Sequence, residues 1–181
     1  MLTTDAVVDL SHRCAPAVHV LTVKALVQQE SGGNPFAIGV VGGRLIRQPR
    51  NSAEAVATAR SLEAAGWNYS IGLTQINRSN FVRLGIGIDS GFDPCANLRA
   101  MQAVLHECWQ RAKRHSPDAD QAVRASLACY YSGSLATTRY GNYVGSVVAH
   151  ARSARAALCS TAAGGSVNHV AQCAINSTRV Q

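Results

Sequence analysis

Apolar residues along this chain recur mostly three and four positions apart, the spacing of helices that lay one face against a core. Val23, Leu26, Val27 and Glu30 form one such face, with a carboxylic acid in the fourth place. Ser31-Gly32-Gly33-Asn34-Pro35 follows at once and stops the helix, so the pattern predicts a helix over 16–31 with Glu30 in its last turn. Desolvation by the aliphatic neighbours and the negative end of the helix dipole both disfavour a charged carboxylate there, which predicts a raised pKa. An acid that stays protonated near neutrality can act as a general acid. The plainer alternative is a helix-end glutamate turned aside into water.

The same period predicts helices over 4–13, from Asn51-Ser52 to Gly66, from Asp93-Pro94 to His115, from Pro117-Asp118 to Tyr131, and over 142–158. Leu98, Met101, Leu105, Cys108 and Ala112 share one side of the helix that starts at Asp93-Pro94. In the helix from Pro117-Asp118, Val123, Ser126, Leu127 and Tyr130 repeat the Glu30 spacing, with a tyrosine in the last place. Val144, Val147, Val148 and Ala151 mark the inner side of the last. One strand signal stands out: Val40-Val41, a Gly42-Gly43 turn and Arg44-Leu45-Ile46, which predicts a small hairpin. The expectation is a mainly α, single-domain fold with one small β-hairpin over residues 1–159. After Cys159 a tail over 160–181, rich in small and polar residues, is expected to be partly disordered.

Composition sharpens this picture in three ways. The formal charge of +7 favours polyanions, but the arginines are scattered and no nucleic-acid module accompanies them, so nucleic acid is not expected as a partner. No apolar run approaches the length of a membrane span. Six cysteines, with no Cys-x-x-Cys pair, suggest disulfides in an oxidising compartment rather than a metal site. Six allow fifteen complete pairings; Cys159 and Cys173, which bracket the tail, are the favoured pair, and buried free thiols are the alternative. The first thirty residues lack the basic stretch, apolar core and cleavage site of an export signal. A signal removed upstream of this numbering and a different export route both fit.

Tyr69-Ser70-Ile71-Gly72-Leu73-Thr74-Gln75-Ile76-Asn77 joins a glycine that frees the backbone to amide side chains able to donate to and accept from a sugar. With it, four ordered segments resemble the transglycosylase (SLT, goose-lysozyme-like) domain family: Glu30-Ser31 before Asn34-Pro35, Gly72-Leu73-Thr74-Gln75-Ile76, Ala128-Cys129-Tyr130-Tyr131-Ser132-Gly133, and Tyr143-Val144 with Val147. Thr74 stands where that family has methionine, and Tyr131 where it usually has asparagine. The likeness covers about residues 14–150. It is closest to the lytic transglycosylases of type IV secretion systems, through the stretches from Gln29 to Val40, from Phe92 to Leu98 and from Cys129 to Gly133.

The resemblance implies a lysozyme-like α+β fold and cleavage of the β-1,4 bond between N-acetylmuramic acid and N-acetylglucosamine in peptidoglycan. The product would be a 1,6-anhydromuramic end, made in the periplasm or cell envelope without a cofactor or metal. Glycan strands are the implied partner, with other type IV secretion components beside them. Glu30 is the implied catalytic residue, and Ser31, Gly72, Gln75, Asn77, Tyr130 and Tyr143 the implied substrate-binding set. Each has a bland counterpart: a helix-end cap for Ser31, a backbone requirement for Gly72, a loop-closing hydrogen bond for Gln75 and core packing for the tyrosines. A goose-type hydrolase, or a protein serving mainly in assembly of a secretion apparatus, remain the rival functions.

Overall fold

The computed structural model describes residues 1–162, with side chains through residue 157. Its helices are α1 (Thr4–Cys14), α2 (Val20–Ser31), α3 (Ser52–Ala64), the single turns α4 (Phe81–Leu84) and α5 (Ile88–Gly91), α6 (Pro94–Lys113), α7 (Ala119–Ser132) and α8 (Gly141–Ala162). Short polar side chains start them: Thr3, Asn51, Asp93 and Asp118 each accept a hydrogen bond from the backbone N–H three residues on, satisfying donors that a helix start leaves orphaned. α2 begins at Val20, later than its apolar pattern suggests. Ala17 N–H is drawn to the Gln102 side chain at 2.8 Å, and His19 Nδ1 accepts the Leu21 N–H at 3.2 Å to cap the helix.

The buried face of α2 (Val23, Leu26, Val27) lies against α8, where Val144 and Val147 are buried. α6 packs against α7 and α1, and its predicted stripe from Leu98 to Ala112 is buried throughout. The shared core of these helices and the sheet makes a mainly α fold with a small antiparallel sheet. Among the described residues, no helix is long and apolar enough to cross a membrane.

That sheet is where the structure departs from the pattern. Strand β1 (Ile38–Val40) pairs not with residues 44–46 but with β2 (Tyr69–Ile71), in the register Ile38 to Ile71, and β2 turns back into β3 (Ile76–Asn77). The hairpin is therefore β2–β3, and its turn is the Gly72–Gln75 segment. The outer side of β1 is occupied by one side chain: Gln48 Oε1 accepts the Ile38 N–H at 2.8 Å and Gln48 Nε2 donates to the Ile38 carbonyl at 2.9 Å. With those groups satisfied, residues 44–46 have no strand partner and Ile46 is fully exposed.

Two disulfides join helices: Cys14 to Cys95 ties α1 to α6, and Cys108 to Cys129 ties α6 to α7. These four cysteines are thus cystine rather than buried thiol. The favoured Cys159–Cys173 pair lies outside the residues described with side chains. A disulfide stabilises largely by shortening the unfolded chain's freedom, so the bridge closing 81 residues should contribute more than the one closing 21. Chain entropy puts them at about 4.5 and about 3.3 kcal/mol. Urea unfolding of Cys14→Ser/Cys95→Ser against Cys108→Ser/Cys129→Ser should rank them in that order, and the reverse order would mean that native contacts beside the second bridge outweigh loop entropy.

Candidate active site

Glu30 enters the site from the last turn of α2, and α8 meets it there. Tyr143 Oη donates to Glu30 Oε1 at 2.5 Å. Burial pushes the Glu30 carboxyl above the usual range for a glutamate, and the Tyr143 hydroxyl, which stabilises the ionised form, offsets part of that rise. The tyrosines nearby stay firmly protonated. Burial first, then the charge of Glu30, raises both Tyr130 and Tyr143 far above the ordinary phenol value, so both act as donors.

A cleft of about 720 Å³ opens in front of the acid. The sheet and the residues beside its strands supply polar groups to it, among them Asn68, Ser70, Gln75 and Asn77, and the end of α7 supplies Tyr130 and Tyr131. Glu30 is the one ionisable carboxyl among the described residues that line it. With no lysine, arginine or histidine in that lining either, the acid faces neutral walls.

The β2–β3 turn holds its shape through a buried amide that sequence reasoning left without a role. Asn97 of α6 accepts from Thr74 N–H at 2.9 Å and Thr74 Oγ1 at 2.7 Å. Its Nδ2 donates to the carbonyls of Ile71 at 3.0 Å and Gly91 at 2.9 Å. Gly72 sits against that amide with φ at +80°, and a Cβ there would lie 2.3 Å from Asn97 Nδ2 and 2.7 Å from the Gly91 carbonyl oxygen. Gly72 is therefore a backbone and packing requirement beneath the cleft rather than a surface of it. The signal for Asn97 was present: it stands four residues before Met101, on the same apolar stripe, as Glu30 does on α2.

Gln75, itself at φ +51°, gives both amide hydrogens to the protein. Nε2 donates to the Ala37 carbonyl at 3.1 Å and the Gly72 carbonyl at 2.9 Å. Two carbonyl partners fix the orientation of the amide and leave Oε1, an acceptor, as its remaining polar atom. A Cβ on Gly39 would come within 2.7 Å of that oxygen, so glycine at 39 is what makes room for it.

The remaining residues divide clearly. Ser31 Oγ donates to the Leu73 carbonyl at 2.8 Å, joining the end of the acid's helix to the hairpin turn; it is not among the cleft-lining residues. Asn77 lines the cleft, but its Nδ2 is held by Asn68 Oδ1 at 2.9 Å and Ser70 Oγ at 3.2 Å, and its Oδ1 accepts the Ser79 N–H at 3.0 Å. Tyr130 Oη donates to the Thr74 carbonyl at 2.7 Å, bracing the turn while its side borders the cleft. Glu30, Gln75, Asn77 and Tyr130 thus meet in one cleft with Tyr143 behind the acid, and Ser31 and Gly72 support it from beneath.

The family model described as Transglycosylase SLT domain matches residues 11–151. The Type IV secretion system protein virB1 of Brucella abortus biovar 1 (strain 9-941) is 48% identical over 148 residues, which are 78% of this chain and 62% of that protein. Protein virB1 of Agrobacterium fabrum (strain C58 / ATCC 33970) is 29% identical over 139 residues, 75% of this chain and 55% of its own length. The chain therefore spans less than two thirds of the length of these curated relatives. No solved structure matches it.

Proposed function

The chain belongs to the transglycosylase SLT domain family, and from that membership we propose that it is a peptidoglycan lytic transglycosylase with Glu30 as its single acid and base. It would cut the β-1,4 bond between N-acetylmuramic acid and N-acetylglucosamine and so open the wall locally for a type IV secretion or conjugation apparatus in the cell envelope. The relatives' names support the setting. The observation that carries the chemistry is the partly buried Glu30 carboxyl, held by Tyr143 and facing a cleft with no other carboxyl in its lining.

Tyr143 donates to Oε1, so in the neutral acid the proton sits on Oε2, the oxygen left for the substrate. Glu30 gives that proton to the leaving glycosidic oxygen as the C1–O bond breaks. The substrate's acetamido oxygen can shield the positive charge growing at C1, so no second carboxylate is needed. The C6 hydroxyl of the muramic residue then attacks C1, and Oε2 takes its proton, which returns Glu30 to the acid form with no water consumed. Gln75 contributes an acceptor, suited to a hydroxyl or an acetamido N–H.

Mass spectrometry of muropeptides released by the purified chain tests this reading. The expected products end in 1,6-anhydromuramic acid, whereas reducing ends would make the protein a hydrolase. Tyr143→Phe supplies a second check. Removing the donor that favours the ionised form raises the Glu30 pKa further. Activity requires the protonated acid, so it falls as pH rises through that pKa; in the variant this fall should shift to higher pH, with a lower maximal rate. A pH–rate profile that does not move would separate Tyr143 from the acid's titration.

A further inference from the structure

Tyr131 lines the cleft without a part in the mechanism, and it has an unusual setting. It is 57% exposed, although it lines the cleft beside the acid. One face of its ring lies on Tyr143, with centroids 4.3 Å apart and planes inclined by 22°, and Tyr140 meets it edge-on at 5.8 Å. Tyr143 in turn holds Glu30. Tyr131 is thus the outermost ring of an aromatic stack whose innermost member touches the acid, and its other face is open. A large apolar surface left uncovered in a polar cleft marks a binding surface.

Resting on the reading of this cleft as a glycan groove, we propose that the open face of Tyr131 is a stacking platform for a β-1,4-linked N-acetylhexosamine ring next to the bond being cut. Such a ring carries its substituents equatorially, so its faces present axial C–H groups while hydroxyl and acetamido groups ring the edge. The cleft has matching surfaces: an aromatic face on α7 for the C–H groups, and Asn68, Ser70 and Gln75 in and beside the β2–β3 hairpin for the edge. Tyr131 cannot rotate freely, because Tyr143 and Tyr140 hold its back and side, so little side-chain freedom is lost when a sugar lands on it. A small polar residue at 131 could offer a hydrogen bond but no such face.

Binding measured apart from cleavage tests this. In the Glu30→Gln background, calorimetric titration with chitohexaose, a β-1,4 N-acetylglucosamine hexamer, gives the reference Kd. Adding Tyr131→Ala or Tyr131→Asn should raise Kd roughly tenfold, and Tyr131→Phe should hold it within about twofold. The proposal is overturned if the hexamer does not bind the reference protein. It is overturned equally if Tyr131→Asn binds as tightly as tyrosine, or if Tyr131→Phe loses as much as Tyr131→Ala, which would assign the contact to the hydroxyl. Tyr131→Phe keeps the Tyr143 stack and serves as the folding control. The two readings fail separately: hexamer binding that depends on Tyr131 in a chain that never cleaves peptidoglycan would remove the enzyme, and cleavage with a Kd indifferent to Tyr131 would remove only the platform.

Discussion

Glu30→Gln should slow the clearing of a peptidoglycan suspension by about 10,000-fold, because in the proposed reaction one residue performs both proton transfers and each such transfer is worth two to four orders of magnitude. The amide matches the shape of the acid, and its oxygen can still accept from Tyr143, but it has no proton to deliver. The fold should not suffer. A carboxyl whose pKa is raised by folding binds more protons in the native state than in the unfolded chain between the two pKa values. Its stabilising contribution is complete below the ordinary glutamate value and is lost as pH rises through the folded one. Relative to wild type, Glu30→Gln should therefore gain unfolding free energy as pH rises from 4 to 8, read from urea midpoints at both. Clearing at the wild-type rate would place the proton transfer on another group, and a variant that unfolds at neutral pH would make Glu30 a structural residue.

A large loss of stability is expected at Asn97→Ala. The substitution strips partners from the Thr74 N–H, the Thr74 hydroxyl and the carbonyls of Ile71 and Gly91, all within a buried site. Each buried polar group left unsatisfied costs about 1–3 kcal/mol. Partial relaxation brings the expected sum to about 3–5 kcal/mol, a large share of the 5–15 kcal/mol that holds a typical domain together. Because the same amide shapes the turn that carries Gln75, activity should fall at temperatures where the variant is still folded. A loss under about 1 kcal/mol in urea would show that the turn holds its form without Asn97.

These two residues also mark what can be read from the chain alone. Glu30 is legible because an acid on an apolar helical stripe conflicts with its surroundings, and that conflict is local. Asn97 stands in the same kind of conflict, but its meaning depends on a turn more than twenty residues away that packing brings beneath it. Gln75 is recognisable as a motif residue. Which of its atoms is left for a ligand depends on two carbonyls, those of Ala37 and Gly72, that only the fold assembles. The helices on α6 and α7 follow their apolar period closely, whereas the Gly42-Gly43 hairpin does not form. A turn signal states that the chain can reverse there but does not name the partner of the strand before it, and a single glutamine decided that question. The cystines escape for a related reason, since their pairing follows from which helices are neighbours.

That glutamine has a wider effect. An uncovered strand margin invites any extended polypeptide to lie along it and continue the ladder. Here the rim of β1 is already closed by Gln48, at the Ile38 N–H and carbonyl. A visiting segment would have to evict a tethered group that is always at hand, so the protein's smallest element is kept from becoming a seam for unwanted joining.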